Sequence, residues 1–456
     1  MLTSFPEKTN LGVVCSEMHY GWSSPFGPVL LEGKYKFTIT SNESSWLTVT
    51  PLIGAVFGAF VTGLVVDTFG RKRMIVFSSV PFIASWLLIG FADSSTLMFV
   101  GRFLAGAIDG LSFIAVPMYL GEIAEPKIRG LLSSVCPVSI VFGILLINVL
   151  GTYLPLDTTA FISTILPLLL LITFPWMPES PYFYLMKGNE EEARKSLQIF
   201  RGVEDVTVEL NRISSAVKEQ QENKGSFLDL FRVNSNRKAI FITLGLRTVQ
   251  QLTGTTVIIF YCKTIFKEAG GFSPSLSTII YFSVQLVLAV VSSIVVDLCG
   301  RKPLLITSII GTALSLLAHA TYLYLQKIGY DTTEYNFVPL AALLCFVVTF
   351  SIGLQTVPLL IMGEIFPTNV KAFALCTMDI YYSVFVTCMS KFFHWSKGIG
   401  MHVPFFTFTG CCVLGLIFIL LYVPETKGKT LEDIQDELHD KKTVVDRRII
   451  NEACLY

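Results

Sequence analysis

The chain has 456 residues and a formal net charge of zero; 52% of its residues are hydrophobic and only 15% are charged. Soluble proteins carry about 25% charged residues, so this composition indicates a membrane protein with the lipid bilayer as its surroundings. A neutral chain lacks the basic surface that binds nucleic acid, and we expect no nucleic-acid partner. The ten cysteines are scattered without metal-ligand spacing, so we expect no metal site and no cofactor.

Apolar stretches long enough to cross a ~30 Å hydrocarbon core recur along the whole chain. The first, Leu11–Leu31, is poor because it contains Glu17 and His19. The others are Trp46–Val66, Met74–Ala92, Leu97–Leu120, Leu131–Leu150, Phe161–Trp176, Ala239–Phe266, Leu276–Val296, Leu304–Leu325, Val338–Met362, Ala372–Phe393 and Val403–Val423. The pattern predicts an all-α membrane protein with twelve transmembrane helices in two groups of six.

A polar segment with short amphipathic stretches separates the two groups. We therefore divide the chain into an N-terminal six-helix bundle (1–177), an intracellular helical linker (178–238), a C-terminal six-helix bundle (239–423) and a cytosolic tail (424–456). The first helix of the N-terminal bundle is expected to be atypical or truncated. A helix that starts upstream of this sequence would explain its polar character.

The positions of lysine and arginine predict the orientation in the membrane. Basic residues cluster at 70–73, at 125–130, in the linker, at 300–302 and in the tail. Twelve alternating spans place all of these on one face, which we predict to be cytosolic together with both termini. The loop before the second span lies on the other face and carries the sequence Asn42-Glu43-Ser44. Asn42 is therefore a predicted glycosylation site.

Three charged signatures occur twice, in the same order, in the two halves of the chain. The segments "GLVVDTFGRKRM" (63–74) and "SIVVDLCGRKPL" (293–304) share an Asp followed by Gly-Arg-Lys, and "PES" (178–180) matches "PET" (424–426). The third signature is Glu122 with Arg129, matched by Glu364 with Lys371. Two similar six-helix halves are typical of transporters whose halves rock about a central site.

The repeated charges predict ion pairs that close the cytosolic face and break when it opens. A carboxylate at this depth is costly unless it is paired or lies at a helix N-terminus. The alternative for the basic residues alone is that they only anchor the topology. The predicted set comprises Asp67, Arg71, Glu122, Arg129 and Glu179 in the first half, and Asp297, Arg301, Glu364, Lys371 and Glu425 in the second.

Several of these motifs resemble those of a known family. "GLVVDTFGRK" (63–72) is similar to the loop motif of the major facilitator superfamily. "GRFLAGAIDG" (101–110), "PESP" (178–181), "QQLTG" (250–254) and "PETKGKTLEDI" (424–434) are similar to its sugar porter branch, and in particular to the insect facilitated trehalose transporter group. The resemblance extends over about residues 23–434. It implies the major facilitator fold and a sugar site between the halves that faces each side in turn.

The resemblance also implies where the sugar binds. Gln250 and Gln251 match the family's sugar-binding amides, and an amide offers both donors and acceptors to hydroxyl groups. The alternative is that these amides join helices to one another. Ile140 and Ile144 match apolar wall positions, and Tyr261 matches a family aromatic. Three candidate positions depart from the family pattern: Thr256 and Tyr382 replace asparagines, and Gln355 stands where a glycine is usual.

Arg102 and Asp109 share a face of the fourth predicted helix. An ionisable residue inside a membrane indicates function by default, and we predict that these two side chains pair. In the resemblance, proton-coupled sugar porters use a carboxylate–arginine pair between helices one and four. Glu17 or Asp109 is a candidate for that carboxylate, and a purely structural ion pair is the alternative.

We expect a facilitative transporter of trehalose or a hexose in the plasma membrane. A proton-coupled sugar symporter is one alternative, and a non-transporting sugar sensor or degenerate carrier is another. The chain shows no nucleophile–base pattern, so we do not expect an enzyme. The sequence makes no prediction of oligomeric state.

Overall fold

The computed structural model describes residues 4–124, 129–222, 227–270, 272–366, 368–425 and 427. The helices are α1 Ser4–Gly21, α2 Ser23–Leu31, α3 Ser41–Phe69, α4 Arg71–Gly90, α5 Ser95–Ile123, α6 Arg129–Tyr153, α7 Leu156–Ser163, α8 Ile165–Thr173, α9 Pro181–Met186, α10 Glu190–Arg201, α11 Thr207–Glu222, α12 Asp229–Arg232, α13 Asn234–Leu252, α14 Thr255–Ala269, α15 Pro274–Cys299, α16 Arg301–Lys327, α17 Val338–Ile352, α18 Val357–Ile365, α19 Thr368–Ser396 and α20 His402–Tyr422. Short 3₁₀ turns follow α8 (Phe174–Trp176) and precede α17 (Thr333–Tyr335).

Ten helical segments in the described ranges are long and apolar enough to cross a membrane. Two further segments, α1 with α2 and α13 with α14, carry ionisable residues in their middle, including Glu17 and Arg247. Together they give the twelve-helix arrangement predicted from the hydropathy pattern, which is confirmed.

The first spanning segment is longer than the sequence suggested. It begins at Ser4, and α2 continues it to Leu31 after a break at Trp22. The prediction that the first helix is atypical or truncated stays a prediction. Its polar residues do not shorten it because they face the protein: Glu17 and His19 are 5% and 2% exposed. Trp22 is buried at the break, and its ring packs against Phe26.

The two halves meet through contacts that repeat. Helix α3 of the first half packs on α19 of the second, and α15 of the second half packs on α6 of the first. Since α3 and α15 are the second helices of their halves and α6 and α19 the fifth, these two contacts are equivalent. A third contact joins α2 to α14. The repeated signatures of the sequence thus correspond to a repeated packing arrangement.

Close packing within the first half depends on small residues. A Cβ atom on Gly58 would lie 1.8 Å from the carbonyl oxygen of Ala107, and one on Gly106 would lie 1.9 Å from that of Pro51. Helices α3 and α5 therefore approach to backbone contact. This is the small-residue packing that membrane helices use in place of a hydrophobic driving force.

Two helices of the second half are broken at the level of the bundle centre. Helix α13 ends at Leu252 and α14 starts at Thr255, while α17 ends at Ile352 and α18 starts at Val357. A neighbouring helix stabilises the second break: Ser308 Oγ of α16 accepts the Leu354 N–H at 3.0 Å. Broken helices leave main-chain carbonyls without helical partners, and such irregular backbone in a membrane protein is tolerated where it lines a cavity.

The segment between the halves forms short helices, of which α9 and α10 dock on the first half while α12 packs on α13 and α19 of the second. Arg201 of α10 pairs with Glu209 of α11 at 2.9 Å, and its Nη1 donates to the carbonyl of Ile123 at the end of α5, also at 2.9 Å. This pairing lowers the pKa of Glu209. Ser196 Oγ donates to the carbonyl of Glu179 at 2.5 Å. Helices α9 and α10 are thereby anchored to the end of the bundle that carries the Gly-Arg-Lys turns.

Candidate functional site: a cavity between the two halves

A cavity of about 180 Å³ lies at the centre of the bundle. Its wall comes from both halves, from α1, α3, α5 and α6 on one side and α13, α14, α15, α17, α19 and the 353–356 break on the other. Its polar and aromatic lining includes Glu17, Tyr20, Asp109, Arg247, Gln250, Gln251, Thr256, Gln285, Gln355, Asp379 and Tyr382. Such a mixed lining suits a ligand with many hydroxyl groups and apolar C–H faces.

The two adjacent glutamines both line the cavity, but they differ in their contacts. Gln250 Nε2 donates to the carbonyl of Leu354 at 2.7 Å, and its Oε1 accepts from Arg247 at 2.9 Å. This side chain therefore ties α13 to the unwound backbone between α17 and α18. Gln251 Oε1 accepts from Thr256 Oγ1 at 2.7 Å, across the break between α13 and α14. Gln250 thus joins two helices, as the alternative interpretation of these amides predicts. Gln251 makes fewer hydrogen bonds to the protein and is more available to a ligand.

Most of the other predicted binding residues also lie in the cavity wall. Ile140 and Ile144 contribute apolar surface, and Gln355 accepts a hydrogen bond from Ser351 at 2.8 Å. The Tyr382 hydroxyl is 2.8 Å from that of Tyr20, so this pair crosses from one half to the other.

Tyr261 does not belong to this cavity wall. Its hydroxyl lies 3.3 Å from Ser390 Oγ, and its ring packs on Phe393. Helix α14 deviates from helical geometry at Tyr261 itself, which points the ring toward α19. The predicted contact of Tyr261 with substrate stays a prediction, and the structure places the residue outside the central cavity wall.

The sequence reasoning missed several polar residues of the wall, among them three with charged or amide side chains. Arg247 and Asp379 bring charge into the cavity from α13 and α19, and Gln285 comes from α15. The sequence does indicate them, because each stands inside an apolar run, where an ionisable or amide side chain marks a functional position. The family comparison drew attention to the neighbouring glutamines instead.

Arg102 and Asp109 do not form the predicted pair. In the described part of the chain the Arg102 guanidinium donates to the His19 carbonyl and to Ser23 Oγ, the latter at 3.0 Å, and it lies over the Trp22 ring. Asp109 instead accepts from Ser16 and lines the cavity. Arg102 and Asp109 are seven residues apart on α5. Arg102 lies in the protein interior, beside the break in the first spanning segment.

One end of the bundle carries Arg71–Arg73 and Arg301–Lys302, and we call it the basic end. Here Arg71 Nε lies 3.1 Å from Glu122 and its Nη2 lies 3.0 Å from Asp67. The Arg71 side chain is 3% exposed and that of Glu122 is 16% exposed, whereas Asp67 is 66% exposed. The predicted association of Asp67, Arg71 and Glu122 is thus present within the first half.

Glu179 has a different role from the predicted ion pair. Its Oε1 accepts the main-chain N–H of Lys72 and of Ser180, both at 2.9 Å. The carboxylate therefore caps the N-terminus of α4, where the helix dipole favours negative charge. Gly70 makes room for it with φ of +94°.

Glu425 repeats this capping in the second half. It accepts the main-chain N–H groups of Arg301 and Lys302 at 3.0 Å, at the start of α16, and Gly300 has φ of +87°. The side chains of Arg129, Asp297, Glu364 and Lys371 lie outside the described residues, and their predicted pairing stays a prediction.

The opposite end of the bundle carries Asn42, and we call it the sequon end. Asn42 is exposed in the first turn of α3. Nearby, the Lys391 ammonium donates to Ser45 Oγ at 2.7 Å and lies 3.5 Å from the centre of the Trp46 ring. Lys267 pairs with Glu32. Each of these contacts joins the two halves, and among the described residues the ion pairs between the halves lie at this end.

A family model for sugar and other transporters matches residues 16–438 of the chain. Among curated proteins, the chain is 36% identical to a facilitated trehalose transporter (Tret1) of Anopheles gambiae, covering 94% of this chain and 55% of the relative. It is 35% identical to the Tret1 of Culex quinquefasciatus, covering 94% of this chain and 84% of the relative. The chain thus spans about half the length of the Anopheles protein.

Solved structures share the fold. The proton:xylose symporter XylE bound to 6-bromo-6-deoxy-D-glucose has a TM-score of 0.77 at 24% identity, covering 96% of this chain and all of that one (100%). The inward-open xylose transporter XylE from E. coli has a TM-score of 0.77 at 22% identity, covering 96% and 99%. With twelve helices in two equivalent halves, a central cavity and a family match over most of its length, the chain belongs to the sugar transporter family and has the major facilitator fold.

Proposed function

We propose that this protein is a facilitative sugar carrier that works by alternating access, with trehalose or a hexose as substrate. The observation that carries the proposal is the central cavity, which is built from both halves and lined by amide, hydroxyl and aromatic groups. A sugar that leaves water needs replacement donors and acceptors for its hydroxyl groups, and unpaired ones would cost roughly 1–3 kcal/mol each. Gln251, Gln355 and Tyr382 supply such groups.

The contacts between the halves support an alternating mechanism. Tyr20 and Tyr382 bond across the cavity, and Glu32 with Lys267 and Ser45 with Lys391 bond across the sequon end. Among the described side chains, the Arg71 ion pairs and the Glu179 and Glu425 caps of the basic end each lie within one half. The described structure is thus a state closed at the sequon end, and exchange of these contacts would expose the cavity there.

Passive transport is favoured by the environment of Arg102. A coupling arginine requires a titratable partner on the first helix, but Arg102 binds the neutral hydroxyl of Ser23 and a main-chain carbonyl. A hydroxyl does not change charge at physiological pH, so this contact has no proton to exchange.

The proposed orientation in the membrane and the region boundaries follow the distribution of charged residues along the chain. We propose that the basic end faces the cytosol, that both termini are cytosolic, that the membrane is the plasma membrane and that Asn42 is glycosylated. The proposed regions are the bundle 1–177, the linker 178–238, the bundle 239–423 and the tail 424–456. Protease protection in sealed vesicles tests the orientation. A shift in gel mobility from the attached glycan, which Asn42→Gln should abolish, tests the glycosylation.

The function is tested by uptake of labelled trehalose, glucose and fructose into proteoliposomes that contain the full chain. We expect saturable uptake of at least one sugar to the same final level with or without a pH gradient. Gln251→Ala should lower the uptake rate about tenfold, as expected for one lost hydrogen-bonding group worth about 1.4 kcal/mol. Gln326→Ala is the matched control, because Gln326 is an exposed amide at the end of α16.

Unchanged uptake in Gln251→Ala would contradict the proposed site. Saturable sugar binding without flux would identify a sensor instead of a carrier.

A proton-coupled symporter is the second candidate, because Glu17 and Asp109 line the cavity itself. It predicts that an imposed pH gradient drives accumulation of sugar above equilibrium, and that Asp109→Asn abolishes the accumulation. Equal final levels with and without the gradient would exclude it.

A further inference from the structure

The central cavity contains more acidic side chains than a neutral sugar requires. Glu17, Asp109 and Asp379 bring three carboxylates, and Arg247 brings one guanidinium. Glu17 interacts electrostatically with Asp109, Asp109 with Asp379, and Asp379 with Arg247. The four groups therefore form one connected set that crosses from the first half to the second.

These acidic side chains are not compensated by protein ion pairs. In the described part of the chain, none of these carboxylates has a lysine or arginine nitrogen within 4.0 Å. The Arg247 guanidinium is directed to Gln250 Oε1 at 2.9 Å and to the face of the Tyr382 ring. Asp109 is bonded to the neutral hydroxyl of Ser16. Carboxylates inside a membrane protein are costly until a cation or proton reaches them.

A second observation points to a ligand with extra donors. Gln285 lines the same cavity and is 4% exposed, yet its Oε1 has no hydrogen-bond partner. An acceptor left unpaired in a buried site is destabilising, and a bound donor removes that cost. An ammonium group supplies three N–H donors and a positive charge on one atom.

We propose that the cavity prefers a sugar that carries a protonated amine over a neutral sugar of the same shape. The inference rests on the proposed sugar transport and specifies the substrate class of that site. The ammonium lies between Asp109 on α5 and Asp379 on α19, while the hydroxyl groups meet Gln251, Gln355 and Gln285. Because the two carboxylates belong to opposite halves, the amine also links the halves across the cavity.

The test is competition for labelled-sugar uptake in proteoliposomes by glucose, glucosamine and N-acetylglucosamine, at a pH where the glucosamine amine is protonated. The acetylated sugar is the matched neutral control, since it keeps the nitrogen but not the charge. We expect glucosamine to compete at least about tenfold better than either neutral sugar, as for one charge-assisted hydrogen bond. Asp379→Asn should bring the ratio to about one, while Asp93→Asn, an exposed carboxylate after α4, should keep it.

The wild-type ratio decides the inference even where Asp379→Asn does not fold. Equal competition by the three sugars, with uptake intact, overturns the amine preference and leaves sugar transport standing. Accumulation of a neutral sugar driven by a pH gradient and lost in Asp109→Asn also overturns it, because the carboxylates would then bind protons. Absence of saturable uptake of every labelled sugar, trehalose included, overturns both this inference and the proposed function.

Discussion

The two ends of the bundle are held by different kinds of contact. At the basic end, Arg71 is buried between Glu122 and Asp67 of its own half. At the sequon end, Lys267 and Lys391 reach from the second half to Glu32 and Ser45 of the first. The proposed mechanism needs rigid halves and a reversible interface between them. The contacts within one half serve the first requirement and the contacts between the halves serve the second.

The largest expected effect breaks the buried contact. Arg71→Ala leaves Glu122 without its guanidinium partner, and an unpaired buried charge costs roughly 3–5 kcal/mol. We expect a large fall in the thermal unfolding midpoint of the purified protein. Arg73→Ala, at an exposed position two residues on, should change the midpoint little. Equal midpoints for the two variants would show that Arg71 does not stabilise the first half.

The next effect compares the two repeated turns. An alanine in this left-handed region costs about 1–3 kcal/mol. A Cβ on Gly70 would also lie 2.5 Å from Glu179 Oε2, whereas one on Gly300 would lie 3.2 Å from Glu425 Oε2. We therefore expect Gly70→Ala to lower the unfolding midpoint more than Gly300→Ala. The opposite order would contradict the conclusion that Glu179 packs more tightly on Gly70 than Glu425 packs on Gly300.

A smaller effect is expected from the interface at the sequon end. Lys391→Ala removes the bond to Ser45 and the contact with the Trp46 ring, and a cation–π contact contributes about 0.5–2 kcal/mol. Since this contact joins the halves, we expect faster hydrogen–deuterium exchange at the start of α3 with little change in unfolding. Lys397→Ala is the control, because Lys397 lies over Tyr261 of its own half. Faster exchange in the control alone would contradict the assignment.

The smallest effect concerns the exposed pair of Glu32 and Lys267, because exposed ion pairs contribute little to stability. Lys267 and Lys34 lower the pKa of Glu32 to about 2. A lowered pKa means that the pair stabilises above the ordinary pKa of glutamate and is lost as the pH falls through the lowered value. Glu32→Gln should therefore shift the unfolding midpoint by the same small amount from about pH 5 to 8. A shift that varies across this range would mean that another group titrates.

The sequence predicted the fold well and the site in part. Hydropathy and the repeated charges located the spans, since both depend on the composition of whole segments. The roles of single charged residues were harder to predict. Glu179 has the sequence context of an ion pair, but its carboxylate lies at the start of α4 and meets main-chain N–H groups. Asp379 and Arg247 lie in the cavity wall because of how α19 and α13 are rotated about their axes. Composition does not determine that rotation.

Tyr261 illustrates the remaining difficulty. Its position on the seventh span agrees with a cavity residue, but the break after Leu252 and the distortion of α14 turn its ring away. Helix faces can be predicted along an unbroken helix only. The same breaks place Gln250 against the Leu354 carbonyl, a contact between two irregular segments that neither sequence pattern specifies.

The breaks at Trp22, between Leu252 and Thr255, and between Ile352 and Val357 divide three spanning segments into shorter rods. Each rod keeps its own hydrogen-bonded register, so a rotation at the joint costs no further helical bonds. Motion in this fold therefore need not involve whole bundles. The helical segments on one side of the breaks can rotate while those on the other side stay packed. The cavity can therefore open partially and from one side.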